Sequence, residues 1–271
     1  MRLSIRHVTS YAYDPPAMRT DLRLRLFPSR FEGQKIARWS VRVNGFETRP
    51  LFVNAYGDEE AIWRTDQEQA LIEIVAEGVV ETSDAAGVLR GLADQSRPAV
   101  FLRETPLTAP SREILELARA SASGTVLDTL HALSQNVRDA VDYVQNVTDA
   151  STTAADVLKN GNGGVCQDHA HVFVAAARLA EIPARYVAGY LSPGFVGRQE
   201  SHAWAEAYVS DLGWVGFDPS NRQSPTDAYI RLCSGLDAAD AAPLRGWVSA
   251  SVRETLAVEV DVAPSPQQAQ Q

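Results

Sequence analysis

Cysteine is scarce in this chain: two residues in 271, Cys166 and Cys233. Two thiols cannot make a disulfide framework, so both are read as reduced. Lysine is as rare, at Lys35 and Lys159, and no Lys/Arg-rich run offsets the formal charge of −9. That balance argues against a nucleic-acid partner. No stretch of about 18 apolar residues occurs, so no membrane span is expected. The opening MRLSIRHVTS lacks the apolar core of a secretory leader, and the expected compartment is the cytoplasm. No internal repeat is visible. The end, VAPSPQQAQQ, is polar and low in complexity and is expected to lie outside the fold.

What is present is ample core material. Hydrophobic residues make up 45% of the chain, and the length suits one large domain or two smaller ones. The first part reads as strands. Leu22, Leu24 and Leu26 alternate with arginines, and Val41 and Val43 repeat the pattern, the period of a strand with one buried face. In ALIEIVAEGVV the strand is expected over Leu71 to Val75. Asp14-Pro15-Pro16, Asn44-Gly45 and Gly57-Asp58 are turn formers between these runs. Strands at this spacing predict a β-sandwich over residues 1–85, followed by a linker over 86–107.

Beyond the linker the period changes. SREILELARAS is helical, and so is TVLDTLHALSQNVRDAVDYV, with Ser111 and Thr125 as N-caps. TTAADVL is a short helix with Thr153 as N-cap and Asp156 completing a capping box. A glycine loop then leads into an alanine-rich helix, DHAHVFVAAARLAE, and RYVAGYL, HAWAEAYV and WVGFD are strand-like. The order predicts an α+β domain, helices packed on an antiparallel sheet, over 108–245, with a C-terminal strand and disordered tail over 246–271.

A thiol in the first turn of the central helix is chemically pointed. Unpaired backbone N–H groups and the helix dipole favour negative charge there, and both lower a thiol's pKa. Glycines before Cys166 let a substrate approach the backbone, and the same N–H groups can hold an oxyanion. The plain alternative is that Cys166 packs as a small buried hydrophobe, as most free cysteines do. A nucleophile needs a base, and the base an orienting group. SHAWAEAY supplies His202 and GWVGFDPSN supplies Asp218. Alone, the first is an ordinary strand histidine and the second a turn former before proline. A glycine turn at Asp211 to Gly213 makes the two strands a hairpin, which lets these side chains meet.

His169 and His171 compete for the role of base. At about 100° per residue, His169 lies about 60° from Cys166 around the helix and His171 about 140° away. His171 therefore faces elsewhere, and His169 is expected to line the pocket. A metal site built from Cys166, His169 and His171 fails on the same angles, and no second CxxC or HxxxH supports one.

On GGVCQDHAH, IPARYVAGYL, SHAWAEAY and GWVGFDPSN, in this order and spacing, the chain resembles the transglutaminase-like cysteine-enzyme superfamily in its bacterial form. The matching motifs cover roughly residues 108–235. RLSIRHVTSYAYDPPA and LRLRLFPS are similar to the β-rich domain that often precedes the catalytic one in bacteria. The resemblance implies a papain/transglutaminase-like catalytic fold in which Cys166 attacks an amide or acyl carbon. His202 then takes and returns the proton, Asp218 holds the imidazole, and no cofactor is needed. His169 stands where relatives often carry an aromatic residue. The Cys166 N–H is the first oxyanion donor, with Tyr143 or Gln167 as candidates for the second, and Trp204 is a further candidate for substrate contact. The expected substrate is a peptide or protein amide, and hydrolysis is favoured over amine transfer because water is always present. Ser192 to Glu200 is expected to border the cleft. The contrasting expectation is a binding or assembly module with a dormant triad. Oligomeric state is not legible.

Overall fold

The structure is a computed structural model describing residues 1–161, 163–192, 201–248 and 253–265. The front half gives β1 (Arg2–Ala17), β2 (Thr20–Leu24), β3 (Gln34–Val43), β4 (Phe46–Glu47), β5 (Phe52–Val53), β6 (Glu59–Thr65), β7 (Gln69–Thr82) and β8 (Val88–Leu89). Four helices follow: α1 (Arg112–Ser121), α2 (Val126–Ala140), α3 (Ala154–Asn160) and α4 (Cys166–Leu179). The chain closes with β9 (Ala184–Leu191), β10 (Ser201–Val209), β11 (Gly213–Phe217), β12 (Tyr229–Gly235), β13 (Leu244–Val248) and β14 (Arg253–Pro264). These strands form three antiparallel sheets, ordered β14-β1-β7-β3-β4, β13-β2-β6-β5 and β12-β9-β10-β11-β8. The fold is α+β, as expected.

Alternation places Leu22 and Leu24 in the core, but Arg25, between Leu24 and Leu26, is equally buried. It is an ion-paired core residue, which leucine periodicity cannot reveal. The turn at Asn44-Gly45 forms, with both residues at positive φ. Asp14-Pro15-Pro16 makes no turn; it lies inside β1, where the register with β7 slips between Ala12 and Ala17. The strand expected to end at Val75 continues to Thr82, because its second half pairs with both β1 and β3.

Residues from the expected linker and tail join sheets. Val88 pairs with Val215 of β11, and Phe101 is fully buried against Trp214. β14 pairs with β1 along Leu3 to Asp14, so Val262 to Pro264, expected outside the fold, are strand residues and Val262 is buried. One core runs across the front and rear halves: Leu3, Ile5 and Tyr11 of β1 share it with Tyr190, Ile230 and Leu232.

The helices start where their caps are. Ser111 accepts the Ile114 N–H, while Thr125 with Asp128 and Thr153 with Asp156 complete capping boxes. α4 is buried almost throughout from Asp168 to Arg178. Its small Ala175, Ala176 and Ala177 point to different sides, so the helix lies close to β10 and to α1 and α2 at once.

Candidate active site

Cys166 is the first residue of α4, with Val165 as N-cap. Its backbone N–H therefore has no partner within the helix. The helix start is fixed from behind: Asp168 Oδ2 accepts the Val165 N–H at 2.8 Å and the Thr148 hydroxyl at 2.7 Å. Gly164 must stay bare, since a Cβ there would lie 2.7 Å from the Asp168 Cβ.

His202 reaches the thiol from β10. The β10–β11 hairpin forms around Gly213 at φ +82°, with Val209 facing Gly213 and Ala205 facing Phe217. Asp218 follows directly after β11, so it stands beside the open end of the hairpin, where His202 lies. His202 Nε2 is 2.6 Å from Asp218 Oδ2, and the ring shares a cleft with the Cys166 side chain, which helps to hold its proton. The structure thus brings the imidazole, the carboxylate and the thiol to one site.

The electrostatics follow from this geometry. Burial works against charge on His202, but the hydrogen bond to Asp218 and then the influence of Cys166 outweigh it, and its pKa is pushed up to about 10. Burial alone would raise Asp218. Donation from His202, Ser220 and Asn221 holds it below its ordinary value instead. Cys233 is the opposite case: fully buried, bonded to the Ala241 carbonyl, and pushed up to about 12 chiefly by burial.

The other candidates separate. Tyr143 and Gln167 line the same cleft as Cys166 and His202. Tyr143 arrives there because the 142–144 segment bonds to the glycine loop, Val144 N–H to Gly164 O and Gly164 N–H to Asp142 O, each 2.9 Å. His169 does not line the cleft. It is fully buried, with ring nitrogens 2.8 Å from Val165 O and 2.9 Å from Val141 O, because a helical side chain leans toward its own preceding turn. Its ring packs behind Tyr143, 6.0 Å between centroids. His171 faces away from Cys166, accepting the Ala238 N–H at 3.0 Å. Trp204 is buried under the His202 ring at 6.2 Å, a support for the imidazole and not a cleft wall. Ser192 to Glu200 falls outside the described residues apart from Ser192. Among the described residues, no group of three or more His, Cys, Asp or Glu side chains is placed to hold a metal.

Residues 116–219 match the family described as the transglutaminase-like superfamily, and residues 3–81 match the bacterial transglutaminase-like N-terminal region. The chain belongs to the transglutaminase-like superfamily. An uncharacterized protein of Mycobacterium leprae is 28% identical over 96% of this chain and 98% of its own length. A protein-glutamine gamma-glutamyltransferase of Pseudomonas aeruginosa is 34% identical over 31% of this chain and 13% of its own. The crystal structure of a Cytophaga hutchinsonii protein, provisionally named a cysteine protease, superposes with TM-score 0.77 at 23% identity, covering 100% of this chain and 92% of that one. Such a likeness fixes the shared fold.

Two groups in this transglutaminase-like site escape sequence reasoning. One holds the carboxylate: Tyr229 OH and Asn221 Nδ2 each donate to Asp218 Oδ2 at 2.7 Å, and Ser220 Oγ donates to Oδ1 at 2.6 Å. Ser220 and Asn221 stand inside GWVGFDPSN, where Asp-Pro-Ser-Asn reads as a turn; a capping reading was the available signal. Tyr229 comes from β12, and nothing near it in sequence announces the contact. The other group is the far wall of the cleft, which comes from β1 and β14.

Proposed function

We propose that this protein is a thiol-dependent amide hydrolase acting on peptide or isopeptide bonds through an acyl-enzyme at Cys166. The observation that carries the reading is the His202 ring, bonded to Asp218 at 2.6 Å and facing the same cleft as Cys166 at the start of α4. The proton of the Cys166–His202 pair rests on the imidazole, whose pKa is pushed up to about 10, and the sulfur attacks the amide carbon. The Cys166 N–H at the free start of α4 then receives the oxyanion, with Tyr143 or Gln167 beside it. Collapse breaks the C–N bond, and the imidazolium gives its proton to the departing amine. A water, deprotonated by the same ring, attacks the thioester; a carboxylic acid leaves and the thiol is restored.

An amine in place of water gives transfer, the chemistry named for the Pseudomonas relative. Hydrolysis is the simpler outcome, since transfer requires a site that holds an amine and excludes water. Mass spectrometry of a peptide library, with and without an added primary amine, tests both. Free acid formed at the same rate under both conditions supports hydrolysis. Amine-adducted product in preference to acid replaces it with transfer. Iodoacetamide at neutral pH separates both from a dormant module: rapid labelling of Cys166 and not of Cys233 is expected, and equal sluggishness of the two overturns the enzyme reading.

A further inference from the structure

The cleft at Cys166 has a volume of about 710 Å³, and one of its walls is built by the two ends of the chain. In the register of β1 with β14, Thr9 faces Val258 and Tyr11 faces Leu256. Directly opposed residues of an antiparallel pair project from the same face. All four line the cleft together with Cys166 and His202. On β1, His7 bonds the Tyr190 hydroxyl at 2.8 Å and Thr9 at 3.0 Å, tying this wall to β9 and so to the sheet that carries His202.

The β14 face is apolar along its length. Val260 and Val262 pack into the core shared by the two halves. The same row then continues into the cleft, where Leu256 and Val258 remain 54% and 49% exposed. Two large apolar side chains, opposite an aromatic ring and inside a concave site, gain most by covering an apolar group of a ligand. A cleft of this size takes a small-molecule-sized piece of chain and not a folded domain.

On the hydrolytic reading above, we infer that β1 and β14 form the specificity wall of the cleft. It takes an apolar or aromatic side chain of an unfolded peptide or flexible loop, adjoining the amide that Cys166 attacks. Tyr11, Leu256 and Val258 supply the apolar contact, and the His7–Tyr190 bond holds the wall at its distance from the nucleophile. The N-terminal sheet is therefore part of the substrate site.

A peptide library in which the residues flanking the scissile amide are varied among Leu, Phe, Ser, Asp and Lys tests this on the full chain. The wild type is expected to prefer Leu or Phe by about tenfold or more in kcat/KM, the usual worth of a filled apolar subsite. Leu256→Glu and Val258→Ser alter exposed positions, so both variants fold. Each is expected to lose that preference through KM, with the rate of Cys166 alkylation by iodoacetamide unchanged. Leu256→Glu is further expected to gain on Lys-flanked peptides. Turnover without an apolar preference, or a preference that survives both variants, overturns the inference and leaves the hydrolytic reading standing. Rapid alkylation of Cys166 with no peptide turned over sinks the hydrolytic reading and this inference with it.

Discussion

Asp218 Oδ2 lies 2.6 Å from His202 Nε2 and accepts two more hydrogen bonds, from Tyr229 and Asn221. The carboxylate is therefore held rigidly, and its charge is shared among three donors. Both its position and its strength as a partner for the imidazolium are set by groups that never touch the sulfur.

Asp218→Asn removes the strongest influence raising the proton affinity of His202. The ring is charged below its pKa, held up to about 10, and neutral above it. The amide variant should therefore lose the imidazolium at lower pH. The basic limb of the kcat/KM profile is expected to move toward neutrality, with a fall of about 10²–10⁴-fold at the optimum from loss of positioned proton transfer. A basic limb that stays in place shows that Asp218 does not set the charge state of His202.

Tyr229→Phe acts with the opposite sign. It removes one of the three donors on Oδ2, leaving more of the carboxylate charge for His202, so the basic limb should move upward. Gln223 also loses its contact with the phenol oxygen, at 2.8 Å. The stability cost is expected to be about 1–2 kcal/mol by urea denaturation. A purely structural tyrosine would lower stability and leave the pH profile alone.

Gly189 tests how the imidazole is supported. A Cβ there would collide with the Ile230 carbonyl and come within 2.6 Å of the Trp204 ring. Trp204 lies under His202. Gly189→Ala should cost about 1–3 kcal/mol, from overpacking, and should disturb His202 as well. Calorimetry reads the first effect and the rate of Cys166 alkylation the second. A variant that is as stable and reactive as the wild type refutes the contact.

Local chemistry carried a large part of this design into the sequence. The caps at Ser111, Thr125 and Thr153, the glycine turn at Gly213 and the thiol at a helix start are each decided by a few adjacent residues. His202 and Asp218 meet because a hairpin is also local. The Tyr229 hydroxyl is only 11 residues from Asp218 but comes from β12, beyond an irregular segment, while burial of His169 against Val141 and the β14–β1 pairing join segments tens to hundreds of residues apart; no periodicity marks any of these partners. Arg25 misleads for the same reason: its partner Asp58 lies on another segment, and only the assembled core shows why a charge is tolerated there.

Glu206 shows that cost directly. It is fully buried on β10, the strand of His202, and accepts from Arg185 at 2.7 Å and Arg231 at 2.9 Å. Arg231 continues to Asp58 of the N-terminal half at 3.1 Å. Glu206→Gln keeps the shape but removes the negative charge shared by two buried guanidinium groups, leaving Arg185 to Asp94 and Arg231 to Asp58. A loss of up to about 3–5 kcal/mol is expected, since one partner is taken from two buried pairs at once. Denaturant midpoints measure it, and a cost below about 1 kcal/mol would mean the network contributes nothing net.

Acid stability should be governed by two histidines outside the proposed chemistry. Burial pushes His7 and His171 from their ordinary 6.5 down to about 4. Between those values the unfolded chain binds protons that the folded chain refuses, so stability rises with pH. The contribution is complete above pH 6.5 and is lost as the pH falls toward 4. A shift of this size is worth about 3 kcal/mol per group. The carboxylates held low, Glu60, Glu206 and Asp218, act with the same sign but in a more acidic window, as the pH falls below their ordinary values. His202, raised to about 10, contributes fully below 6.5 and loses that contribution progressively as the pH rises from 6.5 through 10, so it adds no slope between pH 4 and 6.5. Urea midpoints at pH 7 and pH 5 should therefore differ markedly in the wild type. His171→Gln keeps an acceptor for the Ala238 N–H but cannot titrate, and it should remove about half of that difference. Equal slopes in wild type and variant would show that His171 is not buried neutral.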